Sequence, residues 1–142
     1  MRSLLDVNVL IALLDADHTL HEPAISWFAK HGRGGWASCP LTQNGCVRIM
    51  ANPSYPNALP VEAVIRRLAD ASRNSTHEFW PDDVSLLDAR IADPTRILTS
   101  SQLTDLYLLA LAVAHGGRFV SFDKSISFEP ILGARPQHLL RL

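Results

Sequence analysis

The chain has 142 residues, of which 47% are hydrophobic and 19% charged, a balance typical of one soluble globular domain and unlike that of disordered or fibrous chains. Its 13 basic and 14 acidic residues give a formal net charge of −1, whereas proteins that bind nucleic acid mainly by counterion release are strongly basic. Any contact with nucleic acid must therefore be local.

Two features of the sequence predict the cellular compartment of the protein. Cys39 and Cys46, the only cysteines, have a spacing that fits neither a zinc site nor a disulfide framework, which favours a reducing compartment. Near the N-terminus, Asp6 interrupts the apolar run that a signal peptide needs, and residues 7–14 are too few to span a bilayer. We expect a cytoplasmic protein without membrane contact, formed by one domain over residues 1–142.

In chain order, the apolar pattern predicts strands that alternate with helices. The predicted strands are Leu4 with Leu5, and then residues 36–39, 78–80, 118–122 and 137–140, the last at a sheet edge. The predicted helices are one directly after Asp6, and then residues 22–31, 41–50, 61–71, 86–92 and 99–115. A proline-rich loop covers residues 53–60, and Thr99 with Gln102 resembles a capping box. The alternation predicts a three-layer α/β/α fold with a central parallel sheet.

Two aspartates stand directly after predicted strands. Asp6 follows the first strand, and Asp123 follows the strand that ends at Phe122. Ligands of open parallel sheets bind outside the carboxyl ends of strands, where the strand order reverses. If these two strands are neighbours, both carboxylates face the same crevice. The ordinary alternative is that each aspartate caps the helix that follows it.

Asp105 is the only charged residue between Thr99 and Ala114, in a helix composed mostly of leucine, alanine and valine. A buried carboxylate without a partner is costly or loses its charge, so it needs a cation, an arginine or hydrogen bonds. An ion pair with an arginine is the ordinary explanation. Asp6, Asp105 and Asp123 nevertheless predict one common location, and converging carboxylates favour a hard divalent cation, Mg²⁺ or Mn²⁺.

The chain as a whole resembles the PIN-domain ribonucleases, most closely the VapC-type toxins of bacterial toxin–antitoxin pairs. The matching segments are LLDVNVL at 4–10, WASCPLT at 36–42, NGCVR at 44–48, NP at 52–53, TDLYLLA at 104–110 and VSFD at 120–123. The resemblance implies a PIN fold of about five parallel strands, with the first beside the fourth. It also implies metal-dependent cleavage of RNA by a water nucleophile, and therefore an endoribonuclease toxin.

The resemblance also implies roles for single residues. Asp6, Asp105 and Asp123 match the acidic positions that hold Mg²⁺ in this family, and Asn8 and Ser121 match polar positions that support the site. For the protein as a whole, the resemblance implies a cognate VapB-type antitoxin, whose C-terminal segment covers the active-site groove, and a homodimer.

Gln43 departs from the family pattern, because the family usually has glutamate there. We expect Gln43 to take part in the catalytic site, but with one negative charge fewer the metal should bind more weakly. Arg48 matches a basic residue that often follows this position, and Arg48 and Lys124 are candidates for contacts with RNA phosphates. The departure leaves open a degenerate PIN domain, a non-catalytic module that binds RNA or a partner protein.

Other enzyme classes with an early aspartate fit less well. A haloacid-dehalogenase-type phosphatase needs a second acid two residues after the first, where this chain has Asn8. A receiver domain needs a phosphoacceptor strand that the pattern lacks, although Lys124 stands where such a domain has a lysine. His18 and His21 have a spacing compatible with metal binding, but no third ligand lies nearby in the sequence.

Overall fold

A computed structural model describes residues 1–142. Five strands form one sheet: β1 (Ser3–Leu5), β2 (Trp36–Ser38), β3 (His77–Phe79), β4 (Arg118–Ser121) and β5 (Leu139–Arg141). Five α-helices accompany them: α1 (Val7–Leu14), α2 (His21–His31), α3 (Pro40–Met50), α4 (Val61–Ser72) and α5 (Leu103–Ala114). None of these helices combines the length and the apolar character needed to cross a bilayer.

The sheet is entirely parallel, with the strand order β3-β2-β1-β4-β5. The first strand lies beside the fourth, as predicted, and Leu5 is opposite Val120 in their register. From β1 the chain continues first to one side of the sheet and later to the other. The strand order therefore reverses between β1 and β4, and a crevice forms there at the carboxyl ends of the two strands.

Hydrophobic side chains pack on both faces of the sheet, because successive residues of a strand point to opposite faces. Leu4 and Phe119 belong to the core that includes the buried face of α5. Leu5 and Val120 belong to a second core, which includes apolar residues of α1, α3 and α4. The three-layer arrangement and the parallel sheet predicted from the sequence are thus confirmed.

The predicted helix over residues 86–92 is wrong, because this segment consists of turns. Asp88 accepts hydrogen bonds from the main-chain N–H and the guanidinium of Arg90. Such local side-chain bonds compete with helical hydrogen bonding. Ala92 then forms an isolated antiparallel bridge with Ile131, which joins the segment to the loop after β4.

The long predicted helix begins in two stages. The main-chain N–H of Thr99 donates to Oε1 of Gln102 at 3.0 Å, and this half of the predicted capping box opens a short 3₁₀ turn, Ser100–Gln102. The α-helix itself starts at Leu103 and is followed by Gly116 with a φ of +67°. This start places Asp105 in the first turn of α5.

Candidate active site

Asp6 joins the end of β1 to the start of α1. Its Oδ1 accepts the N–H of Val7 at 2.7 Å, so Asp6 caps α1, and its Oδ2 accepts the hydroxyl of Ser121 at 2.5 Å. The residue is only 7% exposed. Burial raises the pKa of Asp6 above its usual range, although the bonds from Ser121 and Val7 oppose the shift, and the charge of Asp123 raises it further. Asp6 thus combines the capping role with a place in the crevice.

Ser121, at the end of β4, connects the two strands that border the crevice. Its fully buried hydroxyl donates to Asp6 and accepts from Nδ2 of Asn8 at 3.2 Å and from the N–H of Asp123 at 3.0 Å. Oδ1 of Asn8 in turn accepts the N–H of Phe122 at 3.2 Å. Ser121 and Asn8 therefore fix the position of Asp6 relative to the chain after β4.

Asp123 lies in the turn after β4 and does not cap a helix, so the capping alternative is wrong for this residue. Its Oδ1 accepts two hydrogen bonds from Ser125, one from the N–H at 2.8 Å and one from the hydroxyl at 2.6 Å. These two bonds hold the pKa of Asp123 below its usual range. Asp123 is therefore an ionised carboxylate at neutral pH.

Asp105 approaches the crevice from α5. Burial is the main cause that raises its pKa to about 6, and the charges of Asp6 and Asp123 raise it further. No hydrogen bond or ion pair lowers it. Asp105 and Asp123 line a cavity of about 140 Å³, whose other polar lining residues are Ser101, Gln102, Ser125 and Ser127. The three carboxylates thus interact electrostatically across the carboxyl ends of β1 and β4.

The charges of the three carboxylates act on one another. The charge of Asp123 raises the pKa of Asp6, and the charges of Asp6 and Asp123 raise the pKa of Asp105 beyond the effect of its burial. Every ion pair of the chain involves other acids, namely Glu62, Asp70, Glu78, Asp83, Asp88 and Asp93. The predicted arginine partner of Asp105 is therefore absent, and the negative charge of the crevice has no cationic side chain to balance it.

The carboxylate oxygens of the three aspartates are chemically suited to bind a hard divalent cation. Carboxylate oxygens are the ligands that Mg²⁺ and Mn²⁺ prefer, and a cation would remove the repulsion that raises the pKa of Asp105. No group of three or more histidine, cysteine or acidic side chains stands in metal-holding geometry as the side chains lie. Since nothing holds the Asp105 carboxylate by a hydrogen bond, it can turn toward an ion without breaking an interaction.

Comparison with known proteins identifies the family. The family model described as PIN domain matches residues 3–128. The chain belongs to the PIN-domain family. Ribonuclease VapC44 of Mycobacterium tuberculosis is 52% identical over 142 residues, which cover 100% of both chains. Ribonuclease VapC39 of the same species is 41% identical over 128 residues, which cover 89% of this chain and 92% of the relative.

Solved structures of other PIN-domain proteins share the fold. VapC20 of M. tuberculosis, a toxin that cleaves the sarcin-ricin loop, superposes with a TM-score of 0.61 over 94% of this chain and 99% of its own, at 12% identity. VapBC2 of Rickettsia felis, solved with a DNA fragment from its promoter, superposes with a TM-score of 0.57 over 99% and 98% of the two chains, at 14% identity. At these identities the likeness concerns the fold alone.

Gln43, which is predicted to take part in the catalytic site of this PIN domain, forms no hydrogen bond with the three aspartates. Its Nε2 donates to the hydroxyl of Ser38 at 2.9 Å, and the same hydroxyl lies 2.8 Å from Nε2 of His77. Ser38 points to the same face as Trp36, which packs in the core beneath α1, α3 and α4. Ser121 shares its face with Phe119, in the core beneath α5. Gln43 therefore belongs to a neutral network on the opposite face of the sheet.

The rotation of α3 about its axis explains why the side chain of Gln43 points away from the three aspartates. Gln43 lines a groove of about 610 Å³ between α3 and α4, whereas Gly45 faces the start of α1, where a Cβ atom on Gly45 would lie 2.8 Å from Cγ2 of Val7. The part of α3 that faces Val7 thus carries no side chain at all. The close approach of α1 and α3 requires glycine at this position.

The two predicted RNA-contact residues of the PIN domain lie in different places. Arg48 is exposed and lines the groove between α3 and α4. Lys124 is exposed next to Asp123, and its ammonium group donates to the main-chain oxygen of Leu142. Sequence reasoning missed Ser125, although the pattern Ser121-x-Asp123-x-Ser125, with a serine two residues before and after the acid, could have indicated it.

Proposed function

We propose that this PIN domain, acting over residues 1–142, is a metal-dependent endoribonuclease of the VapC toxin type that hydrolyses RNA phosphodiester bonds. The observation that carries the proposal is the electrostatic coupling of Asp6, Asp105 and Asp123 with no cationic side chain to balance them. Full-length identity of 52% to a protein named a ribonuclease supports the reaction class.

In the proposed mechanism, Asp6, Asp105 and Asp123 would hold Mg²⁺, or Mn²⁺ in its place. Such an ion would activate a water molecule and neutralise charge on the phosphodiester. Asp6 is held rigid from both oxygens by Val7 and Ser121, and Asn8 fixes the serine in turn. In-line attack of water on phosphorus leaves a 5′-phosphate and a 3′-hydroxyl. The exposed Lys124, beside Asp123, contacts a neighbouring phosphate, and a phosphate contact of Arg48 stays a prediction.

We further propose that the toxin acts in the cytoplasm and is neutralised by a VapB-type antitoxin. Two free, buried cysteines suit a reducing compartment, and a chain of the VapBC2 structure from R. felis shares the fold. A homodimer is proposed because α3 and α4 expose apolar side chains of 39–55% accessibility, namely Leu41, Ile49, Val61 and Ile65. Assay of RNA cleavage before and after dissociation of the purified complex tests inhibition, and light scattering tests the dimer.

A second candidate function has one specific observation in its favour. Because Gln43 points to the α3–α4 groove and Gly45 has no side chain, α3 supplies no acid to the crevice. A PIN domain that binds RNA or a partner without cleaving is therefore the alternative.

Incubation of the purified chain with pooled cellular RNA separates the two functions. The nuclease requires cleavage in Mg²⁺ that stops in EDTA and in the Asp105→Asn variant. Cleavage that continues in EDTA contradicts the proposed mechanism, and RNA binding without cleavage in Mg²⁺ or Mn²⁺ favours the non-catalytic module. Mapping of the 5′ ends in cells that express the active chain identifies the RNA target.

A further inference from the structure

Ser125 makes every hydrogen bond that the Asp123 carboxylate accepts. The main-chain N–H and the hydroxyl of Ser125 lie 2.8 and 2.6 Å from Oδ1 of Asp123, and Oδ2 accepts no bond from the chain. A carboxylate oxygen offers about two lone-pair sites. Oδ1 is therefore filled, and Oδ2 keeps its lone pairs for a ligand.

The three aspartates differ in how firmly the protein holds them. Asp6 is bonded at both oxygens, by Val7 at the start of α1 and by Ser121 at the end of β4, whereas Asp105 is bonded at neither oxygen. Asp123 is intermediate, since it stands in a turn outside regular structure and depends on one residue for its orientation. Without the Ser125 hydroxyl, this carboxylate would retain a single main-chain bond and would rotate more freely.

We propose that Ser125 is a positioning residue, whose hydroxyl orients the Asp123 carboxylate so that Oδ2 is presented to the divalent cation. The inference rests on the proposed function, and it adds Ser125 to the residues that build the site. Asp105, Asp123 and Ser125 line the same cavity of about 140 Å³, so the hydroxyl acts at the place where the ion would be held. Partners that orient metal ligands in this way typically change metal affinity by about 10–100-fold.

The chain offers matched variants for a test. Ser125→Ala removes the 2.6 Å bond and keeps the main-chain bond, whereas Ser125→Thr keeps a hydroxyl at the same place. Ser127→Ala is the control, because Ser127 lines the same cavity but its hydroxyl only accepts the N–H of Glu129 at 3.4 Å. Ser125 is exposed, so these substitutions leave the core intact.

The measurement is Mn²⁺ binding to the full chain, followed by electron paramagnetic resonance of the free ion. We expect Ser125→Ala to weaken binding about tenfold, and Ser125→Thr and Ser127→Ala to stay within about twofold of wild type. Asp123→Asn is expected to weaken binding more than Ser125→Ala. At saturating Mn²⁺, Ser125→Ala should regain most of its kcat with the KM for RNA unchanged, since its defect lies in holding the ion.

Three outcomes overturn the proposal. If Ser125→Ala binds Mn²⁺ as tightly as wild type while Asp123→Asn does not, only the role of Ser125 fails. If Ser125→Thr is as weak as Ser125→Ala, the hydroxyl is not the cause. If wild type binds no Mn²⁺, or Asp123→Asn binds it equally well, the proposed metal site fails together with this inference.

Discussion

The two faces of the sheet carry polar groups of opposite kind. On the α3 side, Gln43 donates to Ser38, and the Ser38 hydroxyl lies against His77. Burial lowers the pKa of His77, so its imidazole is neutral at pH 7. Each hydrogen bond of this network joins two uncharged groups, and the network needs nothing from outside the protein.

On the α5 side, the carboxylates of Asp6, Asp105 and Asp123 repel one another and have no basic partner. Burying charge without compensation costs free energy of folding. A completed neutral network stabilises the fold, whereas an uncompensated charge cluster indicates where a ligand belongs.

Substitution in the charged cluster should abolish the reaction. Asp105→Asn removes a charge that the proposed ion requires, so RNA cleavage should fall by more than about 100-fold, as expected when a metal ligand is lost. Initial rates on RNA in Mg²⁺ and growth arrest on expression measure the effect. If cleavage and growth arrest both survive, the charged face has no catalytic role and the comparison breaks down.

Two buried serines allow the same substitution on each face. Ser121→Ala leaves Oδ2 of Asp6 without its donor and the N–H of Asp123 without an acceptor, so cleavage should fall about 10–100-fold. Ser38→Ala, its matched control, breaks only the neutral network. Each variant should lose about 1–3 kcal/mol of unfolding free energy in urea. Equal loss of activity in both variants would contradict the division of roles.

The metal-free protein should be more stable without the Asp105 charge. The pKa of Asp105 in the folded state, about 6, lies above its ordinary value of 3.8, so the folded protein binds this proton more tightly than the unfolded chain. The associated stability is present below about pH 4 and is lost as the pH rises through about 6. In EDTA at pH 7, Asp105→Asn should therefore gain about 1–3 kcal/mol over wild type.

Urea denaturation of both proteins at pH 4 and pH 7 measures this difference. The gain of Asp105→Asn should be absent at pH 4, where the wild-type carboxyl is protonated. A gain of equal size at both pH values would show that the ionised, buried carboxylate of Asp105 is not its origin.

The smallest effect is expected at Gln43. Gln43→Ala removes one hydrogen bond to Ser38 and should cost about 1 kcal/mol of unfolding free energy. RNA cleavage should stay within about threefold of wild type, since the amide contacts none of the three aspartates. A loss of activity as large as that of Ser121→Ala would place Gln43 in the catalytic machinery after all.

The sequence correctly predicted the parallel sheet and the proximity of the residues that follow its neighbouring strands. Alternation of apolar segments predicted the parallel sheet, and the rule that ligands bind at carboxyl ends of strands grouped Asp6 with Asp123. The turns at Asp88 were missed because three hydrogen bonds from one arginine outweigh a weak helical pattern. The orientation of Gln43 was missed because one residue along a helix changes a side chain's direction by about 100°, and periodicity alone does not place helix starts that accurately.

The two roles of Asp6, in the helix cap and in the crevice, have a practical consequence for the preparation of a substrate complex. Its carboxylate both caps α1 and faces the crevice. A substitution of Asp6 that inactivates the protein would therefore also weaken the N-terminus of α1. Asp105 carries no such architectural task. An inactive variant for co-crystallisation with RNA is therefore best made at Asp105, where the substitution breaks no hydrogen bond of the fold.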